Sequence, residues 1–398
     1  MDMESSYPHM KIRLLLVIIM IFSNSIFANE KPQLDKINYQ TKYDTTELRR
    51  AVGQMMMIKF IGSTIDDNSN IVEYIKQYHI GGVLLDNYRY KNAKDKTANI
   101  ENPKQLKILI NKLQFYAKKY NNYPLLIAVN QEGGFINSLK PSHGFNNPND
   151  PSQFQLGKKN QELIFNETLK RAMLLKEVGI NVNLAPVADL NINPGNPAVG
   201  KLERSFGNNP QQVTSDLKSA IRAYKKANIL CTLKHFPGLG SANKNTDYDL
   251  ADLTKTWDKS ELIPYQNLIE SGPAYNCDLI MSSHLINKKL DPSGIPVSLS
   301  KKVITDLLIK QMHFQGLVIT DDMDAAAIRN HFSTRVAIEK AVLAGNNIII
   351  YGGTQGYDPE QEVGMLFNTL FALAKNDAEV RLNVFTSYAK IQKVKQSI

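Results

Sequence analysis

The residues with the most chemical capacity in this chain stand in short polar clusters, each directly after an apolar run. Asn130-Gln131-Glu132-Gly133-Gly134 follows Pro124–Val129, and Asp189-Leu190-Asn191-Ile192-Asn193-Pro194 closes the run that opens at Val182. Lys234-His235-Phe236-Pro237-Gly238-Leu239-Gly240 ends the run from Leu230. Ser282-Ser283-His284 and Thr320-Asp321-Asp322-Met323-Asp324 end two more. Carboxylates, a lysine and imidazoles in such places can bind hydroxyl groups and move protons. A single Asp or Gly there says little, because both also cap a following helix. Five such clusters are hard to explain by packing and point to one polar pocket.

The elements that must carry these clusters follow from periodicity. Short apolar, β-branched runs alternate with longer stretches of helical period. The runs are Met55–Ile61, Ile80–Leu85, Pro124–Val129, Val182–Asp189, Leu230–Lys234, Leu279–His284, Leu317–Thr320 and Ile348–Tyr351. Pro103–Tyr120, Gln161–Val178, Pro210–Ala227 and Ser300–Met312 read as helices, two of them opening on a proline, as suits a first helical turn. Continuous apolar strands separated by helices predict a parallel sheet covered on both faces. Eight such units predict a single-domain α/β chain folded as a (β/α)8 TIM barrel, whose C-terminal strand ends share one mouth. A doubly wound open sheet is the structural alternative, but no glycine-rich dinucleotide fingerprint follows the first strand. Polar loops over 89–103, 138–156, 191–209 and 239–258 would shape the site, and Gln361–Val394 reads as one amphipathic helix on the barrel exterior.

Composition bounds the partners. The 398 residues include 43% hydrophobic and 21% charged side chains, which excludes disordered and fibrous classes. The net charge of +9 comes from scattered pairs such as Lys118-Lys119 and Lys225-Lys226, with no basic stripe interleaved with aromatics. Nucleic acid is therefore not an expected partner. Cys231 and Cys277 exclude a cysteine-rich scaffold, and two buried free thiols are expected ahead of one disulfide. Lys11 and Arg13, the apolar stretch Leu14–Phe22 and small residues up to Ala28 have the form of a secretory signal peptide. The expected layout is a signal over 1–28, a polar lead-in over 29–46 and the barrel over 47–398, with the mature chain periplasmic or secreted. No membrane anchor is expected after cleavage, and with no obvious exposed apolar helix face a monomer is expected.

The clusters together resemble a known family. Lys234-His235-Phe236-Pro237-Gly238-Leu239-Gly240 is similar to the KHFPGHG signature of glycoside hydrolase family 3. Gly53-Gln54-Met55, Ile80-Gly81-Gly82-Val83, Gln131-Glu132-Gly133-Gly134, Asn183–Asp189, Arg204-Ser205-Phe206-Gly207 and Val318–Met323 resemble its other motifs, in order, from about residue 48 to 395. The extent is that of the family's single-domain β-N-acetylhexosaminidases. The resemblance implies an exported retaining hydrolase that removes terminal β-linked N-acetylhexosamine from cell-wall or chitin-like glycans, with carbohydrate as its partner and no cofactor or metal. It puts Asp321 at the nucleophile position and Arg204, Lys234 and His235 among the groups that grip sugar hydroxyls, with Asp322 in support. A lysine beside carboxylates can also hold an attacking carboxylate ionised.

Two departures stand out. Where the family carries an Asp-Ser/Thr-His element after the lysine, this chain has Asn245-Thr246-Asp247. Asp247 is thus the candidate acid/base, since burial or a neighbouring charge can raise an Asp far enough to donate a proton. Asp249 and Glu132 are weaker candidates, and His284, also counted among the sugar-binding residues, is weaker still. Asn130 stands where the family has a sugar-binding Asp, and Phe135 where a basic residue often follows the glycines. Phe135 could stack on a sugar, but packing beneath its loop is the favoured expectation. These changes keep open a barrel that binds glycans without cutting them, or a hydrolase of another β-glycoside such as a glucoside or xyloside.

Overall fold

The computed structural model describes residues 43–87, 99–352 and 362–398. The signal region over 1–28 and most of the lead-in lie outside the described residues, as does much of the 89–103 loop. The helix Thr45–Gln54 starts just ahead of the expected boundary at 47, with Asp44 accepting the N–H of Thr46.

All eight apolar runs contain a strand. In chain order these are β1 Met56–Ile58, β2 Gly82–Leu84, β3 Leu126–Val129, β4 Val182–Asn183, β5 Leu230–Phe236, β6 Leu279–Ser282, β7 Leu317–Asp322 and β8 Ile348–Tyr351. Each pairs in parallel with its sequence neighbours, and β8 returns to β1 through Met56 opposite Ile349, closing the barrel. The strands are fully buried apart from Asp321, as expected of parallel strands inside a ring of helices. β4 is much shorter than its run, because Pro186 has no N–H to give to the ladder; only Val187 bridges onward, to Lys234.

The helices over Pro103–Tyr120, Gln161–Val178 and Pro210–Ala227 occupy the predicted spans. Each starts on an asparagine, Asn102, Asn160 or Asn209, whose side chain accepts a first-turn N–H. The predicted Ser300–Met312 helix forms over Lys302–Gln311, wound wide as a π-helix. One expectation is corrected. The terminal helix is two, Val363–Asn376 and Ala378–Lys395, because extended Asp377 breaks the period and caps the second through the N–H groups of Glu379 and Val380.

The cysteines overturn the free-thiol expectation. Parallel pairing of β5 with β6 brings Cys231 and Cys277 to a Cα separation of 5.0 Å, within disulfide reach, and the two are bonded.

Two irregularities in the ladder bear on the site. Between Leu233 and Phe236, β5 has one residue more than β6 has between Ile280 and Ser282. Between Ile319 and Asp322, β7 has one more than β8 has between Ile348 and Ile350. These are β-bulges, which bend a strand and re-aim its side chains. The first contains Lys234 and His235, and the second contains Thr320 and Asp321.

Candidate active site

The strand ends enclose a cavity of about 270 Å³. Its apolar lining comes from Leu84, Leu184, Met281 and Ile350, and its polar lining from Lys59, Asn130, Arg204, Lys234, His235, Asn245, Asp247, Asp321 and Asp322. Three of the five clusters line it, through Asn130, through Lys234, His235 and Leu239, and through Asp321 and Asp322, whereas no residue of Asp189–Pro194 or Ser282–His284 does.

Beneath the cavity lies a buried ionic trio. Glu132 is bound by Arg204 in the forked geometry of a guanidinium on a carboxylate, at 2.8 Å through Nε and 2.7 Å through Nη2. Lys234 Nζ approaches the same carboxylate at 2.7 Å. Burial opposes the charge on Glu132, but the two cations more than offset it and bring its pKa down to about 2. Glu132 is thus a fixed anion and not a proton donor. Burial, with Arg204 alongside, lowers Lys234 despite the attraction of Glu132, as fits two cations sharing one anion. Lys234 also donates to Asn130 Oδ1 at 2.8 Å.

His235 is oriented from below. Its ring Nδ1 lies 2.7 Å from Asp189 Oδ2, and its backbone N–H donates to Asp189 Oδ1 at 3.0 Å. Arg204 Nη2 stands 3.2 Å from His235 Nε2. The carboxylate at Nδ1 calls for a proton on that nitrogen. Asp189 was legible as a polar strand end, but its part in orienting the imidazole was not.

Asp321 is the strand residue left partly open to the cavity. Its Oδ1 accepts the N–H of Asp322 at 2.9 Å. Burial pushes its pKa up, yet His284, His235, the Asp322 N–H and Lys234 together bring it below the ordinary carboxylate value. Asp247 moves the other way: burial raises it, and the nearby Asp321 charge adds to that against the pull of Arg204. Two carboxylates at one cavity are thus driven apart in acidity, Asp321 lowered and Asp247 raised. The Asp247 turn is fixed across the mouth from β5, with Ala326 N–H donating to Asp247 O at 3.1 Å and Ala327 N–H to Thr246 O at 3.3 Å. Asp322 turns aside, and its Oδ1 accepts the N–H groups of Gly352 at 2.8 Å and Asp324 at 3.0 Å.

This geometry agrees with the comparisons. The family model for the glycosyl hydrolase family 3 N-terminal domain matches residues 47–385. The chain belongs to glycosyl hydrolase family 3. It is 29% identical to beta-hexosaminidase A of Pseudoalteromonas piscicida over 70% of this chain and 46% of that protein. A beta-hexosaminidase of Nitrosomonas eutropha is 26% identical over 74% of this chain and 79% of the relative. Among solved structures, a family 3 beta-N-acetylglucosaminidase from a Paenibacillus species superposes with a TM-score of 0.75 at 26% identity, over 88% of this chain and 63% of that one. A beta-N-acetylhexosaminidase from Beutenbergia cavernae gives 0.75 at 25% identity, over 88% and 98%. The chain therefore spans less than half the length of the Pseudoalteromonas protein but nearly all of the Beutenbergia one.

Three expectations for this family 3 site are corrected. His284 does not line the cavity: it is fully buried, with Nδ1 2.7 Å from Ser298 Oγ and Nε2 2.8 Å from Asp322 O. With both nitrogens engaged it braces the end of β7 and has no face for a sugar. Asp249 is turned to solvent and paired with Lys244, which lowers its pKa and disqualifies it as an acid. Phe135 does not pack beneath its loop but stands 66% exposed at the tip of the Gln131–Asn137 hairpin. That hairpin turns tightly at Gly133, where a Cβ would lie 2.3 Å from Arg171 Nη2.

Sequence reasoning also missed Lys59. It lines the cavity from the end of β1 and pairs with Asp86 at 3.1 Å. The available signal was a charged residue inside the otherwise apolar run Met55–Ile61.

Proposed function

We propose that this barrel is an exported, retaining exo-hydrolase that releases terminal β-linked N-acetylhexosamine from cell-wall or chitin-like glycans. The opposed acidities of Asp321 and Asp247 carry the reading. An ionised carboxylate and a protonated one in the same cavity are the nucleophile and the acid that double displacement requires.

In the first step an Asp321 oxygen attacks the anomeric carbon. The bond to the leaving oxygen breaks as Asp247 gives that oxygen its proton. A covalent glycosyl-Asp321 ester and an ionised Asp247 result. In the second step Asp247 takes a proton from water, the water oxygen attacks the anomeric carbon, and the ester bond breaks. The sugar leaves with its original anomeric configuration, and both carboxyls return to their starting states. Arg204 and Lys234, held by Glu132, present N–H groups to sugar hydroxyls, and Lys234 also opposes protonation of Asp321. Asn130 accepts from Lys234, so its amide nitrogen is available as a donor to the sugar where a carboxylate would only accept.

The hexosamine preference draws on the activities named for the Pseudoalteromonas, Nitrosomonas, Paenibacillus and Beutenbergia relatives. Export draws on two observations. A relative from Arthroderma benhamiae, 33% identical over 60% of this chain, is described as secreted. A disulfide belongs to oxidising compartments.

A panel of chromogenic aryl β-glycosides tests the reading. Hydrolysis of the N-acetylglucosaminide at least tenfold faster than the glucoside and xyloside is expected, with the β-anomer appearing first by NMR. Preference for the glucoside or xyloside would overturn the substrate class, and no turnover of any member would favour a sugar-binding barrel.

A further inference from the structure

A second buried carboxyl stands behind the Lys234–Ser241 turn, and the mechanism above does not use it. Glu261, in the short turn Lys259–Leu262, is fully buried, and its Oε2 accepts the N–H of Gly240 at 2.7 Å. The turn is built against this side chain. Gly238 has φ +117°, and a Cβ there would lie 2.5 Å from Glu261 Cβ. At Gly240 a Cβ would meet Leu190 O at 1.8 Å and Glu261 Oε2 at 3.1 Å. Asp189 holds the same turn from the other side, accepting the N–H groups of His235 at 3.0 Å and Leu239 at 2.8 Å. Trp257 Nε1–H reaches Pro237 O at 3.2 Å.

Glu261 has no compensating charge. Among the described residues no Lys, Arg or His forms an ion pair with it, and its Oε1 has no hydrogen-bond partner. The titratable groups facing it are Asp189 from the end of β4 and Tyr265 from the helix Ile263–Glu270, with Ser241 from the turn itself. All would be anionic or neutral. Burial, with Asp189 adding to it, pushes its pKa up to about 8. Below that value the site holds a neutral acid that props the turn. Above it, two carboxylates would lie behind one turn in a dry site, which is relieved only if water enters and the turn moves.

We infer that Glu261 is a positioning residue: as a neutral acid it keeps the Pro237–Ser241 turn seated, and its ionisation releases that turn together with His235 and the approach to Asp247. It acts through Gly240 and the Asp189–His235 pair and touches no sugar. The catalytic consequence rests on the proposed function, but the movement of the turn does not.

Trp257 is the chain's sole tryptophan and is bonded to the turn, so its fluorescence reports the turn without any substrate. In the full chain, the Trp257 emission maximum is expected to shift in one step centred near pH 8. Glu261→Gln, neutral at every pH, should abolish the step, and Asp247→Asn should keep it. In parallel, the wild-type KM for the aryl hexosaminide should rise several-fold between pH 7 and 9, while that of Glu261→Gln stays flat. A wild type with no emission step, or a step that survives in Glu261→Gln, would overturn the inference whether or not the chain hydrolyses glycosides. A step lost in Asp247→Asn instead would assign the titration to Asp247 and overturn it equally.

Discussion

Replacing Asp321 by Asn keeps the shape of the side chain and removes the charge that the proposed attack uses. Turnover of aryl hexosaminides should fall by about a thousandfold or more, as in other enzymes that lose a nucleophile, with KM changed much less. Asp247→Asn should behave differently. Glycosides with poor leaving groups should lose about 10²- to 10⁴-fold in kcat/KM, and those with acidic phenols as leaving groups far less, since these depart without a proton. The pH profile of kcat/KM should be a bell. Its acid limb should lie below the ordinary Asp range, because Asp321 is lowered, and its alkaline limb above that range, because Asp247 is raised. At this scale the sequence was most legible where a residue type is tied to a strand end. Asp321, Lys234, His235 and Arg204 all line the cavity. The roles of Glu261 and Asp189 were hidden because their work is done largely on backbone N–H groups, which no spacing pattern announces. His284 was misplaced because a histidine at a strand end looks the same whether it faces the cavity or the packed wall behind it.

The two bulged strands and the loop after β5 form the next scale. The eight strands and three of the helices were legible from periodicity alone, because burial on both faces demands unbroken apolar runs and covering helices demand their own period. The bulges were not legible, since one extra residue in a buried strand leaves composition unchanged. Yet they set the direction of Lys234, His235 and Asp321. The disulfide was also missed, because two cysteines 46 apart are compatible with either state until β5 and β6 are known to pair. It closes the segment that contains Lys234, His235, Asp247 and Glu261. Closing a loop of that length stabilises a fold by about 4 kcal/mol in the chain-entropy model. The variant Cys231→Ala/Cys277→Ala should therefore melt several degrees lower by calorimetry. It should also lose hexosaminidase activity on warming before its helical circular dichroism falls, if the enclosed segment loosens first. Coincident loss of both signals would show that the segment is no less stable than the barrel.

For the whole molecule, buried charge links stability to pH. The Glu132 trio contributes in full above about pH 4.5, and its contribution is lost as pH falls from there toward 2, because the folded-state pKa is depressed. Glu132→Gln leaves two buried cations without an anion and should cost about 3 to 5 kcal/mol in denaturant unfolding. Lys395 gives a slope of the same sign in a higher pH window, because burial there disfavours the charged form. It is buried in the last helix, donating to Gln54 Oε1 at 2.7 Å and Gly81 O at 2.6 Å, and burial brings its pKa down to about 7. The unfolded chain binds this proton more tightly, so stability should rise with pH from about 7 to 10.5 and the lysine should weaken the fold at neutral pH. Lys395→Met should flatten that slope in urea titrations at pH 7, 8.5 and 10. An unchanged slope would show that Lys395 keeps its proton in the fold.

The proposed retaining hydrolysis depends on a covalent bond between the sugar and Asp321. Incubation with a fluorinated N-acetylhexosaminide that departs quickly and deglycosylates slowly, followed by proteolysis and mass spectrometry, reads that bond directly. The expected result is one added glycosyl mass on the peptide that contains Asp321, absent in Asp321→Asn. Release of the aglycone with no adduct, or an adduct on any other carboxylate, would contradict it.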